Sequence, residues 1–253
     1  MRELERDSSY NTPARCSVAL VGQGRLGTAL AAALAGAGYR VLGPLGRGAD
    51  GAGADAVLLC VPDREIASAA GAIAPGRLVG HCSGSTGLAV LAPHEAFSLH
   101  PLMTVTLAGA SFSGAGAAVA GSTPRALALA AELARSLGMH PVEIQDDDRA
   151  AYHAAASLAS NFLVTLEAVA ERLANEVGMD RHLLAPLVRA TVENWASLGA
   201  ERALTGPVAR GDEETVTAQR MAITERAPEL LALFDALVEA TRALAGLPAE
   251  QPV

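Results

Sequence analysis

The sequence predicts an α/β protein in which a doubly wound parallel sheet is followed by an all-helical C-terminal domain. Three observations predict it. Apolar runs of strand length alternate with runs of helix length through the first half, the pattern of parallel strands joined by crossover helices. A glycine-rich turn, "VGQGRLG", joins the first strand to the first helix. From "DDDRAAYHAAA" onward only helical periodicity is found.

The elements follow in order. "CSVALVG" is a short apolar strand ending at Gly22, and "RLGTALAAALAGAG" is a helix stopped by glycine. "YRVLGPL" is a second strand. "ADAVLLCVP" is apolar enough to lie buried in a parallel sheet. "DREIASAAGAI" reads as a helix with Asp63 as its cap. "GRLVGHCSG", "HEAFSLHPL" and "GAGAAVAGS" are further strands, Pro124 to Leu137 is a helix, and "MHPVEIQ" is the last strand. Beyond it, helices are expected over 147–177, 180–198, 212–224 and 227–245, the last but one capped by Asp212. The domain organisation is therefore a polar tail over 1–14, a dinucleotide-binding domain over 15–145 and a helical substrate and dimerisation domain over 146–253.

Composition narrows the chemistry. All 19 basic residues among the 253 are arginine, so no lysine can serve as general acid, Schiff base or phosphate clamp. A net charge of -8 excludes broad nucleic-acid binding, which needs a basic face. Cys16, Cys60 and Cys82 have no paired metal-ligand spacing and read as small core residues of a reducing compartment, so no metal is expected. The start of the chain lacks a signal-peptide core and no stretch is long and apolar enough for a membrane span, so a cytoplasmic protein is expected.

Gly22, Gly24 and Gly27 have G-x-G-x-x-G spacing between a strand and a helix. Their jobs are a tight turn, backbone approach to a pyrophosphate, and close packing of helix on strand. With Gln23, Arg25 and Leu26 they form the expected cofactor turn of a Rossmann-type domain, where helix amides meet the phosphates. An NAD-selective site places an acid about twenty residues on, to hold the ribose 2'-hydroxyl. Here "VLGPLGRG" has no acid and supplies Arg47, which suits a 2'-phosphate, so NADP is expected in preference to NAD.

The glycine turn, "DAVLLCVPD", "HCSGS" and "SLHPL" in this order, followed by a helical half with "YHAAASLASNFL" and "LTGPVARGD", carry a resemblance. The chain resembles a family of inferred NADP-dependent oxidoreductases that join a Rossmann-like domain to a C-terminal helical domain of unknown function. More distantly it is similar to the superfamily of pyrroline-5-carboxylate reductase, ketopantoate reductase and beta-hydroxyacid dehydrogenases. The resemblance implies that Val61, Pro62 and Asp63 pass near the cofactor ribose, and that the helical domain closes over the nicotinamide and builds a homodimer. It also matches Asn161 to an asparagine that follows a catalytic lysine by four positions. Ser157 stands in that lysine's place.

Hydride transfer to a C=O or C=N bond needs a proton donor or a stabiliser of negative charge beside the nicotinamide. Without lysine, the candidates are His100, at the end of a strand, and His153, Ser157 and Asn161, one stripe of the first helix of the second half. Ser83 in "HCSGS" suits close approach to the cofactor, but the segment is no G-x-S-x-G elbow, which rules out a serine hydrolase. His81, His94, His140 and His182 read as structural, and Arg210 is either a carboxylate ligand or a surface residue. The expected function is a reductase of a small oxo acid or imine, acting between the two domains. The alternative is a dinucleotide-binding sensor or interaction protein that has lost catalysis with the lysine.

Overall fold

The structure, a computed structural model, describes residues 16–106 and 109–247; the polar tail expected over 1–14 lies outside the described residues. Seven strands form one sheet: β1 (Val18–Val21), β2 (Val41–Leu45), β3 (Ala56–Leu59), β4 (Leu78–His81), β5 (Glu95–Leu102), β6 (Gly116–Gly121) and β7 (His140–Glu143). Their order is β2-β1-β3-β4-β5-β6-β7. The expected alternation with helices is present as α1 (Arg25–Gly36), α2 (Ile66–Gly71) and α3 (Pro124–Ser136).

The sheet departs from the wholly parallel one predicted. β5 and β6 pair antiparallel, with Leu102 opposite Gly116, whereas the other pairs are parallel. A parallel return needs a long crossover, usually a helix. No described residue between these two strands is helical, so the chain turns straight back.

β1, β3 and β4 are buried along their whole length, as continuous apolar runs require. Alternate residues feed opposite faces. Val18, Leu20 and Leu58 pack with Leu30 and Leu34 of α1 and Leu133 of α3, whereas Val21, Val57 and Leu59 pack with Ile66 and Ala70 of α2. Each fully buried leucine contributes about 1.5–3 kcal/mol. Pro44 is tolerated in β2 because that strand is a sheet edge.

Helix ends follow local chemistry. Thr123 Oγ1 accepts the Ala126 N–H at the start of α3, with Pro124 in the first turn. Asp63 does not cap a helix as expected. A 3-10 turn over Asp63–Glu65 precedes α2, and the carboxylate is taken by serines of the next loop.

The helix expected over 147–177 is broken into α4 (Arg149–Ser157), a π turn over Leu158–Phe162 and α5 (Leu163–Asn175). Contacts divide the chain after Phe162, so α4 and the π turn belong to the sheet-bearing unit. The change in sequence pattern near 145 and this division differ by that one segment.

The second unit is helical: α5, α6 (Arg181–Leu198), the short α7 (Ala200–Ala203), α8 (Glu213–Arg226) and α9 (Leu231–Leu244). Asp212 caps α8 as expected, its carboxylate accepting the Thr215 N–H and hydroxyl. Val216, Ile223 and Val238 are buried, and Arg220 forms two hydrogen bonds to Asp235, tying α8 to α9. α6 leaves an apolar stripe exposed, with Leu183, Leu187, Trp195 and Leu198 on one side of the helix.

Candidate active site

The glycine turn assigns a separate task to each of its three glycines. Gly22 has φ +126°, and a Cβ there would lie 2.2 Å from the Cys60 carbonyl oxygen. A Cβ on Gly27 would meet the Gly22 carbonyl oxygen at 2.0 Å, so α1 packs directly on the turn. Gly24 is different: nothing lies within 4 Å of where its Cβ would be. Its bareness therefore leaves open space rather than making room for protein. α1 begins without a side-chain cap and without an acid in its first turn, leaving its N-terminal amides and positive dipole end to an incoming anion.

A cleft of about 490 Å³ begins at this turn. Gly24, Arg25 and Leu26 line it, with Val61 and Pro62 from the end of β3 and His100 and Met103 from the end of β5. A second recess, about 370 Å³, contains His100 and Met103 again, now with His153, Ser157 and Asn161. The two hollows thus meet at His100. Gln23 is exposed beside the turn and reaches toward the Pro44 carbonyl at 3.5 Å. Arg47 is 85% exposed and pairs with Glu65 at 3.1 Å. Ser83 is placed otherwise than expected: its hydroxyl donates to Asp63 Oδ2 at 2.8 Å and accepts the Thr86 N–H, so it ties the loop after β3 to the loop after β4.

The four candidate catalytic residues line one recess, and Tyr152, Gly84 and Arg149 lie next to them in the chain or in space. Tyr152 Oη lies 2.7 Å from Nδ1 of His100, the rings edge to face. Burial keeps the Tyr152 phenol above its ordinary range, so it retains a proton to donate. Burial, and after it the neighbouring His153, push His100 down to about 4, so the imidazole is neutral at pH 7. A phenol donating to Nδ1 leaves the N–H of that neutral ring on Nε2.

Gly84, between Ser83 and Ser85, sets the spacing. Its Cβ would stand 2.9 Å from both His100 Cε1 and His153 Cδ2, whose ring centroids are 6.2 Å apart. Arg149 anchors α4 from within: 2% exposed, it donates to Asp146 at 2.7 Å and to Ser98 of β5 at 2.7 Å. Losing one partner of such a buried charge costs about 3–5 kcal/mol, so α4 is firmly seated on the sheet.

His81, read as structural, is fully buried. It accepts the Ser83 N–H at Nδ1 and so donates from Nε2 to the Gly87 carbonyl at 3.4 Å. Burial and the Arg149 charge push it down to about 4. Cys60 and Cys82, which their spacing leaves unpaired, stand side by side just after β3 and β4 with sulfurs 3.7 Å apart. Arg210 and His182 belong to the helical unit. Among the described residues, no group of three or more His, Cys, Asp or Glu could hold a metal ion, and no helix is long and apolar enough to cross a membrane.

Fold and cleft together define a Rossmann-type α/β unit with a dinucleotide-binding turn, followed by a helical unit. The chain belongs to the family described as a domain of unknown function, DUF2520, whose model matches residues 115–241. No curated protein matches it. Among solved structures it is similar to a candidate NADP oxidoreductase from Bacteroides fragilis, at 19% identity and TM-score 0.77, covering 91% of this chain and 99% of that one. A Thermotoga maritima protein matches at 24% identity and TM-score 0.75, covering 90% and 98%. Pyrroline carboxylate reductase of Plasmodium falciparum, solved with NADP bound, matches at 13% identity and TM-score 0.57, covering 92% and 99%. These likenesses establish the fold.

Proposed function

We propose that this chain is an NADP-dependent oxidoreductase that moves a hydride between nicotinamide and a small oxo acid or imine. One observation carries the reading: the cleft that starts at the glycine turn ends at His100, which also belongs to the recess holding His153, Ser157 and Asn161. The residues fit the cofactor, because Gly24 leaves open space, the amides of α1 are uncapped and Arg25 lines the cleft. Arg47, held only by an exposed ion pair worth about 0–1 kcal/mol, is available to a 2'-phosphate. The names of the Bacteroides fragilis and Plasmodium falciparum proteins support NADP.

When bound, the cofactor supplies or takes the hydride. The chain's own residues orient the substrate and handle the proton. His100, neutral and fixed by Tyr152, presents an Nε2–H to developing negative charge on the substrate oxygen or nitrogen. His153, exposed in the same recess, exchanges the proton with solvent, while Ser157 and Asn161 hydrogen-bond the substrate.

The exposed stripe on α6 is proposed to pair with a second copy in a homodimer; Leu187→Glu should then lower the mass in solution, and an unchanged mass would exclude α6 from the interface. The absence of lysine favours a second reading, a dinucleotide sensor without turnover. NADPH binding measured by fluorescence, followed by turnover on a panel of oxo acids, imines and aldehydes, separates the two. Failure to bind NADPH sinks both, and binding without turnover on any member of the panel sinks the enzyme.

A further inference from the structure

Cys60 and Cys82 line the cofactor cleft together. They follow Leu59 and His81, which are partners in the parallel pairing of β3 and β4, so the two cysteines are neighbours across adjacent strands. Strands in a sheet are about 4.8 Å apart, within the Cα separation that a disulfide spans. The sulfurs are already 3.7 Å apart and both thiols are free. We propose that this pair is an oxidative-modification site, closed by a peroxide or a disulfide oxidant to a reversible Cys60–Cys82 disulfide that weakens dinucleotide binding.

The step balances. Cys60, the more exposed of the two, attacks a peroxide oxygen; the O–O bond breaks, and Cys60 becomes a sulfenic acid as the first water leaves. Cys82 then attacks that sulfur. The S–O bond breaks, the S–S bond forms, and a second water carries off the remaining thiol proton. Two electrons pass from the thiols to the peroxide; with glutathione disulfide, Cys60 displaces one glutathione thiol to form a mixed disulfide, and Cys82 displaces the second from Cys60. The contact with Cys60, and then burial, hold the Cys82 thiol well above its ordinary range, so Cys60 and not Cys82 makes the first attack.

The site has little slack to absorb the change. A disulfide brings the sulfurs to about 2.05 Å. The Cys60 backbone packs so closely on Gly22 that a Cβ there has no room, and the Cys60 Cβ lies 3.2 Å from where a Cβ on Gly27 would be. Movement of Cys60 is therefore passed to the glycine turn. This second half of the inference rests on the cofactor reading above.

The test uses the full chain with hydrogen peroxide or glutathione disulfide, and two independent readouts. Trypsin cuts this sequence only at arginine, placing Cys16, Cys60 and Cys82 on three separate peptides. The expected product loses two hydrogens, joins peptide 48–64 to peptide 78–125, and is reversed by dithiothreitol. Cys60→Ala and Cys82→Ala should each abolish the cross-link. Glutathionylation or sulfinic acid without that cross-link overturns the site.

NADPH titration of reduced and oxidised protein reads the consequence. The dissociation constant should rise about tenfold on oxidation and recover on reduction. Equal affinities overturn the regulatory half. Reduced protein that fails to bind NADPH overturns the cofactor reading and the regulatory half with it, while the mass measurement still decides the disulfide.

Discussion

The phenol of Tyr152 stands 2.7 Å from Nδ1 of His100, so one residue of α4 sets the tautomer of another at the end of β5. Tyr152→Phe should leave the NADPH affinity unchanged and lower kcat about tenfold, with stability reduced by about 1 kcal/mol. Nitrogen chemical shifts of His100 should show the Nε2–H form in the parent and a tautomer mixture in the variant. Identical shifts and kcat in both would remove Tyr152 from the site.

Gly22 and Gly24 are two residues apart and should fail in opposite ways. Gly22→Ala forces a Cβ to 2.2 Å from the Cys60 carbonyl oxygen at a φ of +126°, so it should unfold or severely destabilise the chain. Gly24→Ala meets no protein atom within 4 Å and should keep its melting temperature. Its methyl occupies the space left for pyrophosphate, so NADPH affinity should drop by at least about tenfold. A Gly24→Ala protein that binds NADPH normally would put the phosphates elsewhere.

Arg47 contributes little to the fold, its side chain being 85% exposed. Arg47→Ala should therefore preserve stability and NADH binding while weakening NADPH binding about tenfold. An unchanged NADPH/NADH ratio assigns the 2'-phosphate to another residue.

Acid should destabilise the chain over a defined range. His81 and His100 both titrate near 4 in the folded protein, below the 6.5 of an unfolded histidine. Their folded pKa values are depressed, so between pH 6.5 and 4 the unfolded chain binds protons that the native chain refuses, and stability falls as the pH falls. The slope should approach two protons, about 1.4 kcal/mol per pH unit for each. Urea unfolding at a series of pH values checks this. His100→Gln should halve the slope, and a flat parent profile would contradict the burial of both rings.

Much of this architecture is readable from apolar runs, because strands buried on both faces leave an unmistakable mark; "VALV" and "AVLL" are the observed β1 and β3. The glycine turn is equally readable, since its spacing is a steric requirement. His100 and His153 can be nominated from their places at a strand end and on a helix stripe. Tyr152 cannot, and the glycine of "HCSGS" is legible as a place of close approach but not as the spacer between His100 and His153, because both roles depend on the angle at which α4 meets the sheet. Arg149 hides in a charged run that resembles any solvated helix start. Cys60 and Cys82 become partners only through strand register, which their separation along the chain does not encode. The π turn at "LASNF" has ordinary helix formers and no proline or glycine to announce it.

The antiparallel return between β5 and β6 has an evolutionary consequence. Elsewhere in the sheet α1, α2 and α3 connect strands and set their apolar faces in the core, so their sequences are bound to it. The segment after β5 is held to the core at Phe112, but within it Met103, Thr104 and Val105 border the hollows on either side of His100. Descendants of this chain could exchange that segment for another, in length as well as composition, and acquire a new substrate while inheriting the cofactor turn unaltered.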